Sequence, residues 1–92
     1  MIEYLYDAIR ATSGTDITIA AEVEDNGEVV NENCYLVLHI NDEMKKYDGV
    51  CIDGIWEFII PAAHTSGITG RHWYCIKRNE TMLCFKQPIY LV

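Results

Sequence analysis

The stretch VCIDGIWEFIIP, residues 50–61, decides the fold. Asp53-Gly54 is a strong signal for a two-residue type I′ hairpin turn, because both central residues of that turn need a positive φ. Such a turn places Cys51 directly opposite Trp56. The sequence therefore predicts a β-hairpin here, with the Cys51 side chain on the core face.

The second half of this stretch, residues 55–60, alternates strictly between two faces. Trp56, Phe58 and Ile60 share one face, which is the pattern of a half-buried strand. Pro61 follows and ends the strand, since proline cannot donate a hydrogen bond to the ladder. We expect the three large side chains to lie in the core.

The same period of two recurs elsewhere. Residues 17–23 (ITIAAEV) predict a strand with one apolar face. Residues 34–40 (CYLVLHI) are apolar on both faces, which is typical of a central or doubly covered strand. With a further strand over residues 71–77, the predicted core is Ile17, Ile19, Leu36, Leu38, Trp56, Phe58, Ile60 and Trp73.

The remaining segments of the chain also predict strands and turns. Residues 4–12 predict a first strand, with a short helix over DAIRA as the alternative. Asn26-Gly27 is a second hairpin signal. Residues 44–52 predict one strand with a bulge or kink at Asp48-Gly49.

After Pro61, residues 62–70 predict a crossing loop with one helical turn, and residues 82–91 predict the last strand. This makes about seven antiparallel strands in 92 residues, which favours an all-β fold with a single immunoglobulin-like β-sandwich domain over residues 1–92. A small barrel is the alternative architecture.

The charge of the chain limits the classes of partner that we expect it to bind. Fourteen acidic and seven basic residues give a formal net charge of −7. Nucleic-acid and anionic-membrane partners favour basic surfaces, so we expect neither as a partner. The first residues, MIEYLYDAIR, lack the charge and apolar pattern of a signal peptide, which predicts synthesis and retention in a cytoplasm. We expect a protein partner or self-association instead.

The four cysteines, at positions 34, 51, 75 and 84, show no metal-binding spacing. A tight turn at Asn79-Glu80 would pair residues whose numbers sum to 159, which places Cys75 opposite Cys84. Two reduced thiols are preferred there, and a cross-strand disulfide is the alternative. No histidine has the spacing of a local Cys–His dyad. No motif for a catalytic site, metal or other cofactor is present, so we predict a non-enzymatic protein.

Two segments carry a family resemblance. Residues 53–62 (DGIWEFIIPA) and 70–76 (GRHWYCI) resemble parts of small immunoglobulin-like domains in tailed-phage virion proteins. The most similar of these are the N-terminal β-sandwich domains of baseplate and receptor-binding-protein attachment proteins. The resemblance covers roughly residues 45–92 and implies a structural role in a virion, with assembly in the bacterial cytoplasm and no catalytic residues.

Three functions follow as hypotheses. The first is a phage virion structural or adaptor module of the tail, baseplate or capsid, which acts by protein–protein contact. The second is a small acidic inhibitor that binds a basic surface of a host protein. The third is a carbohydrate-binding or adhesion module with aromatic side chains that stack on sugars.

Overall fold

The computed structural model describes residues 2–5, 8–25, 27–30, 32–79, 81–82 and 86–92. These residues form twelve strands and one helical turn, α1 (Ala62–Thr65). In chain order the strands are β1 (Ile2–Leu5), β2 (Ala8–Ala11), β3 (Ile17–Ala21), β4 (Glu24–Asp25), β5 (Glu28–Val29), β6 (Cys34–Ile40), β7 (Glu43–Asp48), β8 (Val50–Ile52), β9 (Ile55–Ile60), β10 (Gly70–Arg78), β11 (Thr81–Met82) and β12 (Gln87–Leu91).

The strands form two main sheets and one short hairpin, so the fold is all-β, as predicted. The large sheet has the order β1-β2-β12-β10-β6-β7, with β11 paired to β10. The small sheet has the order β3-β9-β8, and β4 pairs with β5 alone. Among the described strands, β2 and β12 pair in parallel and every other pair is antiparallel. The parallel pair departs from the predicted antiparallel arrangement.

One connected core lies between the inner faces of the two sheets. In β9 the burial alternates strictly, with Trp56, Phe58 and Ile60 almost inaccessible to solvent. Trp56 also donates a hydrogen bond from Nε1 to the Val30 carbonyl oxygen at 2.6 Å. The predicted core residues that lie buried in this cluster are Ile17, Ile19, Leu36, Leu38, Trp56, Phe58 and Ile60. Trp73 differs, as described below.

Gly49 marks the point where the chain passes from the large sheet to the small one. A Cβ atom at this position would lie 2.5 Å from Cε1 of Phe58 and 2.7 Å from Cε3 of Trp56. The Gly49 amide donates a hydrogen bond to the Cys34 carbonyl oxygen at 3.1 Å. The predicted single strand over residues 44–52 is therefore wrong: β7 and β8 belong to different sheets, because the backbone crosses directly over two core rings.

The hairpin at Asp53-Gly54 forms as predicted. Asp53 and Gly54 have φ values of 51° and 80°. Cys51 pairs with Trp56 and its side chain packs, half-buried, against the core. At the second hairpin signal, β4 and β5 pair around a two-residue turn in which Gly27 has a φ of 82°; Asn26 lies outside the described residues.

The start of the chain also differs from prediction. The expected strand over residues 4–12 is instead two strands, β1 and β2, that pair antiparallel with each other. The helical alternative over DAIRA is excluded for residues 8–11, which form β2. The parallel contact with β12 ties β2 to the sheet through the pair Ile9 and Ile89.

The register of the last hairpin changes along its length. Lys77 pairs with Met82 in the predicted register, in which residue numbers sum to 159. Farther from the turn, Tyr74 pairs with Gln87, so the chain between Met82 and Gln87 is two residues longer than a regular ladder needs. Cys84 lies outside the described residues, and its pairing with Cys75 stays a prediction.

Candidate interaction surfaces

The outer face of the small sheet presents a row of exposed aliphatic side chains, here called the apolar strip: Val50, Ile52, Ile55 and Ile59. Their side chains are 61%, 56%, 41% and 56% exposed, respectively. They share a face because Ile52 pairs with Ile55 across the hairpin, Val50 lies two residues before Ile52, and Ile59 lies four residues after Ile55 in the alternating strand β9. Clusters of large exposed aliphatic groups are typical of protein contact surfaces.

An acid lies within this strip, and further acids adjoin it. Glu57 is exposed between the strip residues of β9 and pairs with Val50 on one side and Ala20 on the other. Val29 of β5 reaches the hairpin turn, since its Cγ1 atom lies 3.9 Å from where a Cβ on Gly54 would be. The β4–β5 hairpin and its flanks, which we call the acidic hairpin, expose four carboxylates: Glu22, Glu24, Glu28 and Glu32. The Glu32 carboxylate lies 3.6 Å from the Arg78 guanidinium of the same chain, so the other three are the ones open to a partner.

The outer face of the large sheet has the opposite character. It holds five of the seven lysines and arginines, here called the basic face: Arg10, Lys46, Arg71, Lys77 and Lys86. The other two, Lys45 and Arg78, occupy strand positions on the core side of the alternation. They pair with the buried Leu38 and Cys34, respectively. Among the described side chains, Asp48 lies on the same face with its carboxylate 3.8 Å from the Lys46 ammonium, and Asp42 and Glu43 line a groove there together with Arg71.

Trp73 belongs to this basic face and not to the core. It pairs with His39 and Pro88 on neighbouring strands, is half-buried, and carries the Arg71 guanidinium 4.4 Å from its ring centroid. The prediction that Trp73 is a core residue is wrong. The inward positions of β10 are instead those of Tyr74, half-buried against the core, and Ile76.

The predicted thiol residue Cys75 also faces outward, although it is fully buried. Its Sγ atom lies 3.9 Å from Nε2 of His39 on the adjacent strand β6. Sequence spacing missed this pair because it joins residues 36 positions apart; pairing the segment CYLVLHI with HWYCI would have revealed it.

The electrostatics of this pair favour two neutral groups. Burial raises the pKa of Cys75, an effect that Lys77 and Lys86 partly offset. Burial lowers the pKa of His39, and the same two lysines lower it further. Nucleophilic catalysis uses the opposite combination, a thiolate beside an imidazolium. The directions of these pKa shifts therefore favour a neutral thiol in contact with a neutral imidazole.

The other two histidines make separate contacts. His64 Nδ1 lies 2.8 Å from the Tyr47 hydroxyl, and His72 Nε2 lies 2.9 Å from the Thr69 carbonyl oxygen. No group of three or more His, Cys, Asp or Glu side chains suited to a metal ion occurs among the residues that the structure describes. In that same part of the chain, no helix is long and apolar enough to cross a membrane.

Two open grooves accompany these surfaces. One, of about 440 Å³, lies on the basic face beside His39, Arg71 and Trp73. The other, of about 530 Å³, lies at one end of the sandwich between Tyr35 and Trp56. Tyr35 carries the Lys46 ammonium 4.3 Å from its ring centroid.

Comparison with known proteins adds no relative: the chain matches no protein-family model, no curated protein and no solved structure.

Proposed function

We propose that this protein is a non-enzymatic module that works by protein–protein contact through the apolar strip. The observation that carries the proposal is the row of four aliphatic side chains, each at least 41% exposed, on the outer face of a regular sheet. Removing such side chains from water is the main driving force for association, at about 25 cal/mol for each Å² of apolar surface. The pairing of β8 with β9 sets the relative positions of Ile52 and Ile55, and a preformed surface lowers the entropic cost of binding.

We also propose that the sandwich has immunoglobulin-like topology. In that fold one sheet contains strands B, E and D, and the other contains G, F, C and, in variable-type domains, C′. The orders β3-β9-β8 and β12-β10-β6-β7 follow this scheme in chain order. Nuclear Overhauser contacts between Ile9 and Ile89, with none between β7 and β8, are expected from this topology; a β7–β8 hairpin ladder would contradict it.

The resemblance of residues 53–62 and 70–76 to phage virion domains motivates a narrower proposal, that the contact is made within a phage particle. Tail, baseplate and capsid proteins are built by such contacts between small domains. Detection of the protein by mass spectrometry in purified particles of its source, at a fixed ratio to a major structural protein, is the expected result. Its presence in infected cells but not in particles would contradict this role.

The sugar-binding alternative receives little support from the described aromatic side chains. Stacking on a sugar needs an open ring face. The half-buried rings of Tyr35 and Trp73 each carry a cation over the face, from Lys46 and Arg71 respectively. The acidic-inhibitor alternative is favoured by one observation: the acidic hairpin concentrates carboxylates beside the apolar strip.

A matched pair of variants tests the proposed contact surface. Ile59 is 56% exposed within the strip, and Val92 is 54% exposed away from it. Tagged wild-type, Ile59→Ser and Val92→Ser proteins are incubated with an extract of the source, and retained proteins are quantified. We expect a partner that wild type and Val92→Ser retain and Ile59→Ser loses. Equal retention by all three proteins would contradict a role for the strip.

A further inference from the structure

The basic residues of this acidic protein are unevenly placed. Five of the seven lie on the outer side of the large sheet, where Arg10 and Arg71 flank Tyr90 in neighbouring strands. Lys77 and Lys86 are both close enough to influence the pKa values of His39 and Cys75. This side therefore presents a concentrated positive charge in a chain whose formal net charge is −7.

The opposite side of the sandwich has the complementary composition. None of the strands β3, β4, β5, β8 and β9 contains a lysine or arginine. Their exposed surface combines the apolar strip with Glu57 and the acidic hairpin. The two outer faces are thus complementary in charge.

We propose that the chain self-associates head to tail, with the basic face of one copy bound to the apolar strip and acidic hairpin of the next. This inference rests on the proposed function and names a second copy of this chain as the partner of the strip. We expect Arg71 and Lys77 of one copy to meet Glu57 and the acidic hairpin of the next, and Met44 to supply apolar surface for the strip. Met44 is 72% exposed at the edge of the large sheet.

The face is large enough for such a contact, and the positions of the two faces determine the symmetry of the assembly. Its principal axes measure 37 × 25 × 24 Å. A broad face of that size can supply the roughly 800 Å² per partner of a standard interface. Because the two faces lie on opposite sides of the core, the contact is heterologous, and repeating it produces a chain or a ring of copies and not a closed two-fold dimer.

A single-stranded nucleic acid is the competing occupant of the basic face. The net charge of −7 opposes its approach. Base stacking also needs open aromatic faces, whereas the Trp73 ring is covered by Arg71 and the Tyr35 ring by Lys46. The observations favour the second copy, and an oligonucleotide serves as one arm of the test.

Two double variants provide the test, and each one removes the proposed binding residues of one face. The basic-face variant carries Arg71→Glu and Lys77→Glu, and the strip variant carries Ile52→Ser and Ile59→Ser. The altered faces cannot attract each other, because the strip variant adds no cation. Val92→Ser is the control, and unchanged circular dichroism verifies that each protein is folded. Sedimentation velocity measures association of each protein alone and of the two variants mixed in equal amounts.

We expect wild type and Val92→Ser to associate with rising concentration, and each face variant alone to associate at least tenfold more weakly. The mixture should form a complex limited to two copies, since only one intact pair of faces remains. Association should also weaken between about 0.01 M and about 1 M salt, as the Debye length falls from about 30 Å to about 3 Å.

Three results would overturn the inference. These are a wild type that stays monomeric at low salt, a mixture that stays monomeric when wild type associates, and a labelled single-stranded oligonucleotide that binds wild type but not the basic-face variant. None of them decides the proposed function, because the comparison of Ile59→Ser with Val92→Ser against an extract has its own readout.

Discussion

Gly49 is the position where one added carbon atom tests the packing of the two sheets. In Gly49→Ala, the new Cβ would lie 2.5 and 2.9 Å from two atoms of the Phe58 ring and 2.7 Å from the Trp56 ring. These contacts are closer than carbon atoms normally approach. The two rings cannot turn aside, because both are buried and stacked, with centroids 6.1 Å apart and an interplanar angle of 13°.

The expected cost follows from this overpacking. Extra carbon in a well-packed core lowers the free energy of unfolding by about 1–3 kcal/mol. For a domain of this size, each kcal/mol lowers the melting temperature by about 4–8 °C. We therefore expect Gly49→Ala to melt roughly 4–24 °C below wild type in thermal unfolding, with a matching decrease of the urea midpoint.

A double-mutant cycle provides the control. Phe58→Leu removes Cε1, the nearest of the three contacted ring atoms, so Gly49→Ala should cost at least about 0.5 kcal/mol less in that background than in wild type. If the free energy of unfolding of Gly49→Ala is within about 0.5 kcal/mol of the wild-type value, the crossing of the backbone over the two rings is refuted. Purely additive effects in the cycle would show that the cost, if any, arises elsewhere.

Three further predictions concern buried polar groups. Trp56→Phe leaves the buried Val30 carbonyl without its 2.6 Å hydrogen bond, and chemical denaturation should show a loss of about 1–3 kcal/mol; no loss would refute the anchoring role. Burial lowers the pKa of His39 below 6.5, so the unfolded chain binds more protons and stability falls as pH decreases through 6.5; His39→Gln should flatten that part of the pH–stability profile. Burial raises the pKa of the Cys34 and Cys75 thiols above the usual 9.0, so a disulfide reagent at neutral pH should modify them slowly in native protein and rapidly in denaturant; equal rates would contradict the burial.

The sequence predicts the hairpin of β8 and β9 well, because local chemistry determines it. Asp53-Gly54 tolerates the positive φ values that the turn needs, and these alone set which residues face each other. The strict alternation of β9 then assigns Trp56, Phe58 and Ile60 to the core without any information from other strands. The exposed positions between them, which form part of the apolar strip, follow from the same alternation.

The sheet to which each strand belongs is not a local property. The pattern of residues 44–52 predicts one interrupted strand, because a glycine at a bulge and a glycine at a change of sheet cannot be distinguished in a sequence. The reason for Gly49 lies in Trp56 and Phe58, which contact it only after the sheets pack. The parallel pairing of β2 with β12 likewise depends on residues about eighty positions apart.

The basic face could not be predicted from the sequence, for a different reason. Strand β10 is apolar and aromatic on both sides, so its alternation does not say whether Trp73 or Tyr74 points inward. The contact of His39 with Cys75 and the grouping of Arg10, Lys46 and Lys77 depend on which strands are neighbours. A net charge of −7 summarises the whole chain and conceals a face where bases are concentrated.

The central claim, that the apolar strip is an outward surface covered by a protein partner, has one direct measurement. Isoleucine methyl NMR with a soluble paramagnetic agent reports the solvent exposure of Ile52 and Ile59 against that of the buried Ile19 and Ile60. We predict strong relaxation enhancement at the strip methyls in dilute protein, a loss of that enhancement in the associated state, and no effect at the buried methyls in either. Strip methyls that are shielded in dilute protein, or that stay equally exposed when the protein is associated, would contradict the account.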